Sequence, residues 1–270
     1  MKNGTIIQKY EFPSPNPSIR MYELTYMSGG LKVKGMLAEP ANGSGYPGFL
    51  YLRGGIKGVG KVRPARIGQF ASHGFIVFAP YYRGNLGGEG SEDFAGDDRE
   101  DAVSGVELLR DHPRVTGGIH VFGFSRGGVM ALLTAIEQPD VASVVSWGGV
   151  TDMFLTYEER VDLRRMMKRV IGGTPKKVPE RYEWRTPLFQ LDRLKAPVLI
   201  IHGEQDQNVS IEHAHRLEAG LREMGKTVET QYYQAYTHYF PPRKNQEIVA
   251  GMCEWMKNKR GNEQWACRWN

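Results

Sequence analysis

The 270-residue chain carries 35 Lys and Arg against 30 Asp and Glu, a formal charge of +5, with 40% hydrophobic and 11% aromatic residues. That is enough apolar chain for one large core, so a single domain is expected. The modest charge, spread along the chain with no basic tail, argues against a nucleic-acid partner, and no run nears the roughly 18 consecutive apolar residues of a membrane span.

In chain order, Ile19–Ser28 and Leu31–Ala38 around Gly29-Gly30 predict an antiparallel hairpin at a sheet edge. Six further segments predict buried strands: Gly48–Arg53, Phe75–Ala79, Ile119–Gly123, Ser143–Trp147, Pro197–His202 and Val228–Tyr233. Helical patterns fall between or after them near Ala65–His73, Asp97–Arg110, Arg126–Glu137, Ser210–Met224 and Lys244–Lys257. The expected fold class is therefore α/β: an eight-stranded, mostly parallel sheet with helices on both faces. Thr151–Leu194 breaks the alternation. There Leu163, Met166, Met167, Val170 and Ile171 mark one apolar helix face that Gly172-Gly173 ends, and the segment predicts a short lid insert.

Gly123-Phe124-Ser125-Arg126-Gly127-Gly128 sits where a strand gives way to a helix, which is the setting of a G-x-S-x-G nucleophile elbow. Glycines flank the serine because side chains there would strike neighbouring backbone, and the helix N-terminus offers free N–H groups to a developing oxyanion. A serine hydroxyl needs a base held by a carboxylate, and on this architecture both follow the serine on loops after strands. Asp206 ends the loop after Pro197–His202, and His238 lies in the loop after Val228–Tyr233. Glu204 competes as the acid, but a residue four beyond the strand folds back more easily than one two beyond it, which favours Asp206. Of the other histidines, His73 and His112 lie near helix ends, His120 and His202 in strands, and His213 and His215 two apart on a helix, pointing to different faces. The loop Arg53-Gly54-Gly55-Ile56 follows an early strand, so the oxyanion donors expected are the N–H groups of Arg126 and of Gly55, with Ile56 as the alternative to Gly55.

Gly55-Ile56-Lys57-Gly58-Val59-Gly60-Lys61 fits most of a phosphate-binding loop, but Val62 stands where a hydroxyl would hold magnesium, and no apolar strand ending in a carboxylate supplies the second contact. No cofactor and no metal are expected. Cys253 and Cys267 have neither CxxC nor ligand spacing, and with no apolar run of signal-peptide length at the start this suits a reducing, cytoplasmic setting.

Five segments together resemble the catalytic domain of prolyl-oligopeptidase-like serine hydrolases of the α/β-hydrolase superfamily: Tyr82-Arg83-Gly84-Asn85, the elbow, Arg185-Thr186-Pro187, Ala196–Asp206 and Thr237-His238-Tyr239-Phe240. The resemblance runs from about Pro47 to Met256 and implies a triad at Ser125, Asp206 and His238. This chain departs from the family where Arg53 stands in place of the frequent His of the H-G-G-P loop, and where Arg126 replaces a frequent Tyr. Only about 46 residues precede Pro47, too few for the propeller of the peptidase members. The expected activity is therefore hydrolysis of a small acyl ester, with a stand-alone peptidase acting on short peptides as the alternative and a binding-only member of the fold as a remote one. The expected partners are a small-molecule ester or short peptide substrate, no nucleic acid and no membrane.

Overall fold

The computed structural model describes residues 1–259; Cys267 lies outside them. One mixed sheet holds nine strands: β1 Ile6–Phe12, β2 Ile19–Ser28, β3 Leu31–Pro40, β4 Tyr46–Leu52, β5 Ile76–Pro80, β6 Val115–Phe124, β7 Ser143–Trp147, β8 Val198–Gly203 and β9 Val228–Tyr233. Their order is β1-β2-β3-β5-β4-β6-β7-β8-β9. The first three strands and the β3–β5 pair are antiparallel, and every pair from β5 to β9 is parallel.

The expected count of eight strands is thus corrected to nine. β1 reads IIQKYEF and is exposed or half-exposed at every position, so it has no buried face to impose an alternating pattern. It is held by backbone pairing to β2 and by charge pairs such as Arg20 with Glu11 at 2.8 Å.

The central strands β5, β7 and β8 are buried at every position, as strands covered on both faces must be. Alternate residues feed two cores. Leu50, Leu52, Val121, Val144, Val198 and Ile200 face α2 (Arg99–Arg110), α3 (Gly127–Glu137) and α7 (Ile211–Glu223). Phe49, Tyr51, Phe122, Val145, Trp147 and Leu199 face α1 (Pro64–Ala71) and α8 (Pro242–Lys257). The chain order reverses around β4, whose neighbours are β5 and β6, and open α/β sheets bind ligands outside the carboxyl ends of strands at such a switch point.

Between β7 and β8 the chain forms α4 (Met153–Glu159), a 3₁₀ turn, α5 (Arg164–Ile171), α6 (Pro179–Glu183) and a second 3₁₀ segment. Asp152 caps α4 by accepting from the N–H groups of Phe154 and Leu155 at 2.8 and 3.1 Å. Gly172 ends α5 in the left-handed conformation with φ +96°.

Candidate active site

Ser125 stands at the turn from β6 into α3 with φ +57°, a conformation that costs a non-glycine residue strain and persists only where its surroundings enforce it. They do so by hydrogen bonds: Ser125 N–H donates to the Trp147 carbonyl at 3.2 Å, and its own carbonyl accepts from Gly128 and Val150, each at 2.9 Å. Glycine at position 123 is a requirement of close approach, since a Cβ there would stand 2.0 Å from the Gly127 carbonyl oxygen. Gly54 is equally constrained, because a Cβ on it would meet Ser125 Cβ at 2.7 Å. The oxyanion loop predicted from the sequence therefore lies directly against the elbow.

Asp206 and His238 come together from the loops after β8 and β9. His238 Nδ1 lies 2.6 Å from Asp206 Oδ2, and Asp206 Oδ1 accepts from the N–H groups of Asn208 and Val209 at 2.8 and 3.0 Å. Burial works to raise the Asp206 carboxyl, but the His238 hydrogen bond and charge with the two backbone donors outweigh it and hold the group below its ordinary range. His202 also reaches this carboxylate, at 3.5 Å, while its Nε2 lies 2.9 Å from the Val209 carbonyl. Glu204 is exposed and forms no ion pair among the described residues.

The ring of Phe124, the residue before Ser125, packs 4.7 Å from the His238 ring. Ser125, His238, Gly55, Ile56 and Arg126 line one cavity of about 690 Å³. Residues of the insert close one side of it, among them Thr156, Leu163 and Met166. Arg160 ties the insert to the acid loop by donating to the Asn208 carbonyl at 2.7 Å. Neither the Gly55 nor the Arg126 N–H donates a hydrogen bond within the protein among the described residues.

Sequence reasoning missed what lies beneath the serine. The Arg126 guanidinium is buried, pairs with Glu92 and Asp98, and donates to the Gly55 carbonyl at 2.9 Å. Arg53, also buried, donates to Glu92 at 2.6 Å, to the Tyr81 carbonyl at 2.9 Å and to the Gly54 and Val59 carbonyls at 3.0 and 3.2 Å. The two arginines that depart from the family pattern thus share Glu92 and clamp the glycine loop from below. Arg185 of the insert joins through Asp93, at 3.0 Å, whose carboxylate also accepts the Asp97 and Asp98 N–H groups. His213, read from the sequence only as one of two histidines on different faces of a helix, lines the same cavity; burial lowers its pKa to about 4, which leaves the ring neutral to accept from the Thr151 N–H at 3.2 Å. Among the described residues no group of three or more His, Cys, Asp or Glu side chains could hold a metal ion, and no helix is long and apolar enough to cross a membrane.

Comparison with known proteins gives a consistent neighbourhood. Residues 61–263 match the prolyl oligopeptidase family. The uncharacterized peptidase YtmA of Bacillus subtilis is 64% identical over 256 residues, spanning 94% of this chain and 100% of the relative. Human dipeptidyl peptidase 8 is 27% identical over 249 residues, which is 82% of this chain and 26% of that protein. Among solved structures, the acylaminoacyl peptidase of Pyrococcus horikoshii superposes with a TM-score of 0.79 at 23% identity, covering 93% of this chain and 43% of that one. The chain therefore spans the full length of the bacterial relative but less than half of the other two.

Proposed function

The chain belongs to the prolyl oligopeptidase family, and from that premise we propose that it is a serine peptidase acting on short peptides through Ser125, His238 and Asp206. Ser125 Oγ attacks the scissile carbonyl while His238 takes its proton, and Asp206 holds the imidazole in the tautomer that presents Nε2 to the serine. The tetrahedral oxyanion is held by the N–H groups of Gly55 and Arg126, whose lack of protein acceptors leaves them free for it. Collapse expels the amine, which receives the proton from His238, and water then hydrolyses the acyl-enzyme by the same steps in reverse.

The observation that carries this reading is the 2.6 Å pair of Asp206 with His238, whose ring lines the same cavity as a strained, half-exposed Ser125. The peptidase reading replaces the ester preference expected from the sequence, because the family and the bacterial relative are both peptidases by name. In this reading Thr151–Leu194 is a lid within a single domain, and its Leu163 and Met166 supply the apolar wall for the acyl side chain.

Two measurements test the proposal. A fluorophosphonate should give a single adduct, found on Ser125 by tandem mass spectrometry, and an active enzyme labelled elsewhere would falsify the nucleophile. Against a panel of short N-acyl peptides and p-nitrophenyl esters of the same acyl groups, the enzyme should release amines as well as p-nitrophenol. Ester turnover with no amide turnover would return the reading to an esterase.

A further inference from the structure

The cavity has a charge asymmetry that the triad chemistry does not use. Lys61, Arg63, Arg66 and Arg160 line it, and no Asp or Glu does. Arg160 is already paired with Asp162 at 2.7 Å, whereas Lys61, Arg63 and Arg66 have no carboxylate partner among the described residues. Arg66 is the most telling of the three. It is half-buried, and burial works against its charge, yet the groups its guanidinium meets are neutral: the Tyr51 hydroxyl, the side-chain oxygens of Gln69 at 3.0 Å and Asn245 at 2.7 Å, and the rings of Phe70 and Trp147 at 4.8 and 5.8 Å. A partly desolvated cation without a counter-charge is costly, and a ligand carboxylate would supply the missing charge and a fork-shaped acceptor.

The position of this wall says which part of a substrate it meets. Arg66 lies on Trp147, Trp147 packs 5.2 Å from Phe240, and Phe240 is two residues beyond His238. Its other anchor, Asn245, is in α8, which follows the His238 loop directly. The histidine of such a triad passes its proton to the departing amine, so the leaving group occupies the histidine side of the serine. The insert contributes the apolar side chains of Leu163 and Met166 to the same cavity.

We propose that Arg66, with Lys61 and Arg63, forms a carboxylate-binding subsite for the leaving group, so that the enzyme selects short peptides whose free C-terminal carboxylate lies one or two residues beyond the scissile bond. The proposal rests on the serine-hydrolase reading above and deepens it. Arg66 makes the direct contact, while exposed Lys61 and Arg63 add a field that draws anionic substrates in and weakens with salt.

Two matched substrate pairs test it: N-acetyl-Ala-Ala-Ala against its C-terminal amide, and 4-acetoxybenzoate against 4-acetoxybenzamide, each with the wild type, Arg66→Gln and the double variant Lys61→Gln/Arg63→Gln. In the wild type the acid should be favoured over the amide by about tenfold or more in kcat/KM, an effect worth ~1.4 kcal/mol. Comparing variant with wild type cancels the difference in leaving-group acidity within each pair. The acid-to-amide ratio should fall several-fold in Arg66→Gln and by about twofold to fivefold in the double variant, whose exposed positions do not carry the folding risk of Arg66. A ratio that is the same in all three proteins overturns the subsite. Should only the ester pair turn over, the peptidase reading fails, and the ester ratio still decides the subsite.

Discussion

On the serine side of the site, Arg126 and Arg53, from two different chain segments, share Glu92 of a third, and Asp98 closes the set just before α2. On the histidine side, Asp206 is held by N–H groups two and three residues ahead of it and by His238, with His202 at 3.5 Å, and the Phe124 and Tyr239 rings pack at 4.7 and 5.0 Å from the imidazole. The first half is a long-range, charged, buried frame; the second is a local turn dressed with aromatic rings. The proposed base and acid depend on the local half, while the shape of the loop proposed to hold the oxyanion depends on the frame. Loss of function and loss of stability should therefore separate between them.

The largest effects should come from the groups that carry the proposed chemistry. Ser125→Ala and His238→Ala should each lower kcat by about 10⁴–10⁶ and Asp206→Asn by about 10⁴, and the Ser125→Ala/His238→Ala double variant should be scarcely worse than either single, because the members act as a unit. Thermal unfolding should move little in Ser125→Ala. Multiplicative losses in the double variant would mean that the serine and histidine do not work on the same proton.

The frame should answer in stability first. Arg126→Met removes a buried cation between two carboxylates, and breaking one partner of a buried ion pair costs about 3–5 kcal/mol because the other charges stay buried. For a chain of this length that is a fall of roughly 6–20 °C in Tm by calorimetry. Since the same guanidinium donates to the Gly55 carbonyl, kcat should also drop, with KM nearly unchanged. If Arg126→Met melted with the wild type, the network would be a passenger rather than the support of the loop.

The same division explains what could be read in advance. Asp206, His238 and Ser125 each stand in the turn or loop after a strand expected from the sequence, so their placement follows from short-range pattern and chain order. The sheet was legible for the same reason from β2 to β8: Phe49, Tyr51 and Trp147 fall on one face and Leu50, Leu52 and Val144 on the other; β9, expected as a buried strand, is an edge strand half-exposed or exposed at every position. β1 was not legible, because a strand with both faces exposed leaves no apolar period. Nor was the frame. Arg53, Glu92, Asp98 and Arg126 look like ordinary surface charges in a sequence, and only the reversal of strand order around β4 brings their segments under one loop. His213 was passed over because a histidine on an amphipathic helix carries no local mark of facing a cavity.

The smallest predicted effect is also the one that sets the two halves apart by sign. Burial, with the neighbouring Asp93 carboxylate, pushes the Asp98 carboxyl up, to about 7, against the pull of the Arg126 charge, and its Oδ1 has no hydrogen-bond partner, so that oxygen is open to a proton. A carboxyl raised in the folded state contributes stability that is complete below its unfolded value of about 3.8 and is lost as the pH climbs towards 7. Asp206 is depressed in the folded state, so its contribution is complete above about 3.8 and is lost only as the pH falls below that. Urea midpoints measured at pH 3, 4, 5.5 and 7 read both. The advantage of the wild type over Asp98→Asn should shrink from pH 4 to 7, whereas its advantage over Asp206→Asn should hold across that range and shrink from pH 4 to 3. Were the Asp98→Asn profile to run parallel to the wild type from pH 4 to 7, the carboxylate would be ionised throughout. The frame would then be a fully charged quartet rather than one that takes up a proton on acidification.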